Sequence, residues 1–139
     1  MPGKAFVDTN VLVYAHDSET PEKKIKAQAL LFDGLRHNSA AISAQVLSEF
    51  FVTITRKVKR PMPEPQAAKE ISLLANLEVV DIDVQLIQRA IAIKQRWQLG
   101  YWDGLIVAAA ERAHCHTLYS EDLSDGQSYG EVTVRNPFA

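Results

Sequence analysis

The sequence predicts an α/β fold, with a small central parallel sheet and helices on both of its faces. Two patterns point there. Short apolar runs of strand length alternate with longer stretches whose apolar residues recur at helical spacing. Strands separated by helices pair in parallel and cross over in the right-handed sense. The bulk numbers agree. The chain has 139 residues, 47% of them hydrophobic and 23% charged. That is one domain, residues 1–139, large enough to bury about 68–70% of the surface its unfolded chain exposes.

The elements follow in order. "AFV" at Ala5 to Val7 is a buried strand that enters a polar Asp8-Thr9-Asn10 turn. Val11 to Ala15 open a helix, with a longer strand as the alternative. Thr20 reads as an N-cap, Pro21 as the first helical position and Glu22 as a first-turn acid. That helix runs to about Arg36 over Ala27, Leu30, Leu31 and Leu35. "AAIS" is a short strand. From Ser43 a helix carries Leu47, Phe50, Phe51, Ile54 and Val58 on one face. "RPMPEP" stops it, because a run so rich in proline cannot continue a helix. A helix from Gln66 to about Leu77 leads to the strand "EVVDI". Val84 to Leu99 is an amphipathic helix ended by Gly100. Asp103 to His114 is an alanine-rich helix. "TLYS" is a strand that leads into "EDLSDG", and "EVTV" is the last strand.

Composition excludes several function classes. The lone cysteine, Cys115, rules out a disulfide framework and a multi-cysteine zinc site. The apolar run behind "MPGKAF" is broken by Asp8 after three residues, so no secretory leader is legible. No apolar stretch approaches the roughly 20 residues that span a bilayer. The expected compartment is the cytoplasm, with no membrane partner. A net charge of −2 argues against a generally basic, nucleic-acid-coating surface. A nucleic-acid enzyme with a bound metal and a local basic patch remains open.

Four acids stand out by position. Asp8 ends the first strand, Glu49 lies in the second turn of the Ser43 helix, Asp103 starts the alanine-rich helix and Asp122 follows "TLYS". Asp125 is a fifth candidate. Each has an ordinary use. Asp8 suits backbone amides, Glu49 a solvated helix face, Asp103 a helix N-cap and Asp122 a turn. Jointly they say more. Strand-end acids on one edge of a parallel sheet meet where such sheets bind ligands. Carboxylates crowded within about 4–6 Å repel, and a divalent cation removes the repulsion. An all-oxygen site suits Mg²⁺ or Mn²⁺ rather than zinc, and such an ion serves phosphoryl chemistry.

The basic run Arg56, Lys57, Lys59 and Arg60 is a candidate RNA-backbone contact, with a solvated helix C-terminus as the alternative. Trp97, Tyr101 and Trp102 are candidates to stack on a base, with core packing as the alternative. The four histidines carry no assigned role, and Cys115 reads as a small core residue.

"FVDTNVLVYA", "ISAQVLSEFF", "YWDGLIVAAA" and "LYSEDLSDGQ…VTVRNPF" together resemble the PIN domain, and within it the VapC-type toxins of bacterial toxin–antitoxin pairs. The resemblance spans nearly the whole chain, in order. It implies a three-layer α/β/α sandwich with a small parallel sheet. It implies metal-binding, catalytic roles for Asp8, Glu49, Asp103 and Asp122. Thr9 and Asn10 match residues that support the first aspartate, Ser120 matches a hydroxyl beside the last acid, and Asp125 falls where the family varies. The implied activity is Mg²⁺- or Mn²⁺-dependent endoribonucleolytic cleavage by a homodimer, inhibited by a cognate VapB-like antitoxin.

Rivals fail at particular residues. A haloacid-dehalogenase-like phosphatase needs an aspartate two residues after Asp8, where Asn10 stands. A response-regulator receiver needs adjacent acids after its first strand. A non-catalytic RNA- or protein-binding module on the same fold is the alternative that keeps every residue.

Overall fold

The computed structural model describes residues 3–139. Met1 and Pro2, at the head of the segment read for a leader, lie outside the described residues. Six strands form one sheet: β1 (Ala5–Val7), β2 (Ala40–Ser43), β3 (Glu78–Val80), β4 (Thr117–Tyr119), β5 (Ser128–Tyr129) and β6 (Val132–Arg135). The helices are α1 (Thr9–His16), α2 (Pro21–His37), α3 (Ala44–Val52), α4 (Glu64–Leu74), α5 (Val84–Trp97) and α6 (Tyr101–Arg112).

The sheet order is β3-β2-β1-β4-β6-β5, with every pairing parallel except the edge hairpin β5–β6. The predicted α/β layering with a mostly parallel sheet is the fold observed. β5 was not foreseen: two residues are too short to carry an alternation pattern. The order fixes where a ligand can sit. From β1 the chain steps outward to β2 and β3, then returns to lay β4 on the other side of β1. The β1–β4 seam is therefore the topological switch point, and the crevice outside its carboxyl ends is the natural site. Asp8 follows β1 there, and Ser120, Glu121 and Asp122 follow β4. The backbone N–H of Asp8 donates to the Tyr119 carbonyl at 3.0 Å and ties the two strand ends together.

The core explains why these segments take these shapes. Phe6, Ala41, Ile42, Leu118 and Val134 on the strands are wholly buried, as are Val11, Leu12, Val46, Phe50 and Val107 on the helices. From Gly104 to Ala110 every residue of α6 is buried. Its alanine-rich composition follows, because α6 is covered by the sheet and by α5. A Cβ on Gly104 would lie 2.8 Å from the Ala90 carbonyl oxygen of α5. Only a glycine permits that approach. On α2, Ala27 and Leu31 face the core, but Leu35 is 43% exposed.

Several boundaries differ from the sequence reading. The Ser43 helix does not run unbroken to Val58. It is α-helical to Val52 and then becomes a π-helical turn over Thr53–Lys57. The α4 helix starts at Glu64, because Pro65 fits a first-turn position that needs no N–H donor, and it ends at Leu74. Gln98, left-handed at φ 59°, terminates α5. Gly100 instead precedes α6 with an extended φ of −65°, so Asp103 lies inside the first turn of α6 and is not its N-cap. Thr20 occupies the predicted cap position of α2, but its side chain makes no cap bond.

Candidate functional site

Asp8 is the N-cap of α1, with extended backbone at φ −75° and ψ 161°. Its Oδ1 accepts the Thr9 backbone N–H at 2.7 Å, and its Oδ2 accepts the Ser120 hydroxyl at 2.8 Å. Asn10 is the crossbrace. Its Nδ2 donates to Asp8 Oδ2 at 3.3 Å and to Asp122 Oδ2 at 3.1 Å, while its Oδ1 accepts the Glu121 backbone N–H at 3.1 Å. Ser120 Oγ in turn accepts the backbone N–H groups of Asp122 and Leu123. The strand-end acids of β1 and β4 are thus held in one network by Asn10 and Ser120.

Two helices add the other acids. Thr9 Oγ1 donates to Glu49 Oε1 at 2.8 Å, which fixes the α3 acid against the start of α1. Gln45, one turn earlier on α3, is 5% exposed. Its Nε2 donates to Glu49 Oε2 at 3.4 Å and to the Trp102 carbonyl at 3.2 Å, while its Oε1 is buried without a partner. Gln45 therefore latches the first turn of α6, which carries Asp103, to the helix that carries Glu49. Asn10, Gln45, Glu49 and Asp122 line a cleft of about 1030 Å³, together with Trp102, Lys57 and Lys59.

Charge at the site is costly. Asp8 is 6% exposed. Burial pushes its carboxyl up to about 6; the Ser120 and Thr9 hydrogen bonds oppose the rise, and the charges of Asp122 and Glu49 add to it. Burial also raises Asp103, and Asp122 and Glu49 raise it further. These couplings bring all four acids into one electrostatic cluster. Four acids elsewhere are held in ion pairs with lysine or arginine: Glu78 with Lys4, Asp83 with Arg112, Glu111 with Arg89 and Glu121 with Lys23. Among the described residues no lysine, arginine or histidine pairs with Asp8, Glu49, Asp103 or Asp122.

The donor set suits a hard divalent cation, being all carboxylate, amide and hydroxyl oxygen. The acids nevertheless do not close on one point. Among the described residues, no three Asp, Glu, His or Cys side chains approach as the ligands of a single ion must. Unneutralised carboxylates repel, and the Asn10 amide already bridges two of them.

The remaining candidates divide. Asp125 is engaged elsewhere, its Oδ1 accepting the Asn136 backbone N–H at 2.9 Å. Of the basic run, Lys57 and Lys59 line the cleft. Lys59 and Arg60 make only long ion pairs to Glu19, at 4.0 and 3.7 Å, which contribute little when exposed. Trp97 is used in packing, its ring edge-on to Tyr129 at 5.6 Å. Cys115 is buried in the core, where burial pushes its thiol up to about 11. His16 braces α1, with Nδ1 against the Leu12 carbonyl and Nε2 against Glu70.

Sequence reasoning missed a second tier. Tyr14 donates to Glu121 Oε1 at 2.7 Å, and Lys23 pairs with the other carboxyl oxygen. Burial alone would raise the Glu121 carboxyl, but these two hydrogen bonds outweigh it and hold it below its ordinary range. The trio clamps the turn that presents Asp122. Nothing local marks it, since its members lie up to 107 residues apart. Gln45 did leave a signal, as a polar residue four positions before Glu49 on a mostly apolar helix.

The chain matches the profile of the PIN domain over residues 5–124. No curated protein matches it. Solved structures do. A toxin–antitoxin complex from Klebsiella pneumoniae is 23% identical, with 96% of this chain and 98% of that one covered, at a TM-score of 0.69. A sarcin–ricin-loop-cleaving VapC toxin of Mycobacterium tuberculosis is 16% identical over 86% and 90%, at 0.67. VapBC2 from Rickettsia felis, bound to a DNA fragment from its promoter, is 19% identical over 95% and 97%, at 0.66. At these identities the likeness is one of fold.

Proposed function

The chain belongs to the PIN domain family, and from that premise we propose that it is a divalent-metal-dependent endoribonuclease, the toxin of a toxin–antitoxin pair. The observation that carries this reading is the four-acid cluster at the β1–β4 switch point. Its carboxylates come from two strand ends and two helices, repel one another, and have no cationic side chain to neutralise them. Asp8, Asp103 and Asp122, helped by Glu49, would hold Mg²⁺ or Mn²⁺. That ion supplies charge neutralisation at the scissile phosphate and acidifies a water.

The chain's own residues do the rest. Ser120 and the Thr9 amide hold Asp8 at the base of the site. Asn10 spaces Asp8 from Asp122, Thr9 orients Glu49, and Gln45 positions the turn of Asp103. Asp103 and Asp122 are exposed at the rim of the site. Lys57 and Lys59 bind backbone phosphates along the cleft and offset the acidic rim. In-line attack by water leaves a 5′-phosphate and a 3′-hydroxyl. The protein acts in the cytoplasm as a homodimer and is silenced by a VapB-like antitoxin. The toxin–antitoxin complexes among its structural neighbours support that partner. No helix among the described residues is long and apolar enough to cross a membrane.

The acids' failure to converge on one point favours a second reading, a non-catalytic RNA- or protein-binding module. One experiment separates the two. Protein freed of any partner is incubated with total RNA in Mg²⁺, in Mn²⁺ and in EDTA, beside Asp8→Asn. Cleavage that needs metal and disappears in the variant supports the nuclease. Metal-independent RNA binding without cleavage supports the module.

A further inference from the structure

We propose that Trp102 is a stacking platform for one unpaired nucleobase of the RNA, set on the wall of the cleft that also carries Glu49, Asp122 and the cleft lysines. This rests on the ribonuclease reading and adds to it the element that selects single-stranded over paired RNA. Trp102 is 63% exposed, although an indole is among the costliest side chains to leave in water. It lines the same cleft as Glu49, Asp122, Lys57 and Lys59. Three chemistries of a nucleotide chain are therefore served within one groove: phosphate at the lysines, a base at the indole, and the scissile bond at the acids.

The platform is built to stay in place. The Trp102 carbonyl accepts the Gln45 side chain at 3.2 Å. Tyr101 meets the indole edge-to-face, with ring centroids 5.0 Å apart and planes at 75°. A T-shaped partner covers one side at most and leaves the indole able to receive a flat ring. Gln45 holds the latch although its own Oε1 is left buried and unpartnered, an arrangement that carries a desolvation cost. The other indole, Trp97, shows the contrast: it is half-buried against Tyr129 and beneath Arg96. A stacked base needs an open face, so a base already paired in a helix is not accepted.

The test uses Trp97→Phe protein, in which Trp102 is the only indole, in EDTA so that no RNA is cut. Single-stranded oligo(A) and oligo(U), an abasic ribose-phosphate oligomer of equal length and an oligo-arginine peptide are titrated while indole fluorescence is followed. The two RNAs should quench it and the abasic oligomer should not. Trp102→Ala should weaken oligo(A) binding roughly 5- to 100-fold, and Trp102→Phe should recover most of it. In metal-dependent cleavage Trp102→Ala should raise KM and leave kcat nearly unchanged. Equal quenching by the abasic oligomer, or an unchanged KM in a wild-type enzyme that cuts RNA, overturns the platform and leaves the ribonuclease standing. Quenching by the peptide alone assigns the surface to a protein partner and also overturns it. Wild-type protein that neither binds nor cuts RNA removes both readings. Because Trp102 is exposed, an unchanged melting temperature verifies that each variant is folded.

Discussion

Replacing Asp8 with asparagine should stabilise the metal-free protein at neutral pH while disabling the site. In the unfolded chain this carboxyl titrates near 3.8, and in the folded one near 6. Between those values the folded chain holds a proton that the unfolded chain has released. Stability therefore falls as pH rises through that window, and once pH exceeds 6 about 3 kcal/mol has been lost. An asparagine does not ionise and escapes this loss. It also places an N–H₂ group where Oδ2 accepts Ser120 and Asn10, and the resulting donor conflict costs about 1 kcal/mol. The net gain at pH 7.5 is about 1–2 kcal/mol, a melting temperature higher by about 3–8 °C for a chain of this length. Near pH 4 the wild-type carboxyl is neutral, the gain vanishes, and the variant becomes the less stable of the two. Thermal unfolding of both proteins across pH 4–8 in EDTA reads the difference directly. Adding Mg²⁺ should raise the wild-type melting temperature and leave the variant's unchanged. A pH-independent difference, or a variant less stable than wild type at pH 7.5, would show that burial of Asp8 does not carry the strain argued for it.

Other outcomes follow from the same structure. Gly104→Ala should lower stability by about 1–2 kcal/mol, read by urea unfolding. The new Cβ meets a backbone carbonyl of α5 that cannot give way, and this outweighs the better helix propensity of alanine. Its cleavage rate should fall further than stability explains, because Asp103 shares the displaced turn. Tyr14→Phe removes the hydroxyl from Glu121 and should cost about 0.5–1.5 kcal/mol, with a several-fold lower rate measured at saturating RNA as the turn of Asp122 loosens. Cys115 should resist aromatic disulfide reagents at pH 8 until urea unfolds the chain, since the thiol is buried and titrates near 11. Rapid modification of native protein would contradict that burial.

Much of this molecule was legible locally. The alternation of apolar runs and helical periods located five of the six strands and every helix, because those signals extend over a few residues and depend on which face must be buried. Ser43 was legible as the start of α3, and its hydroxyl caps Val46. Asp8, Glu49, Asp103 and Asp122 stood out because acids beside buried runs demand a reason. Tertiary packing decided the rest. Whether α3 kept its α-helical register beyond Val52, or Gly100 closed one helix or opened the next, depended on neighbours distant in sequence. The same holds for the site. Only the return of the chain to lay β4 beside β1 brings Ser120 and Asp122 to Asp8, over a sequence separation of more than a hundred residues. The Asn10 crossbrace, the Gln45 latch and the Tyr14–Lys23–Glu121 clamp exist only after that pairing, so no local pattern could announce them. Sequence by itself determined which residues carry charge and which elements carry those residues; the order of strands in the sheet determined that the charges meet.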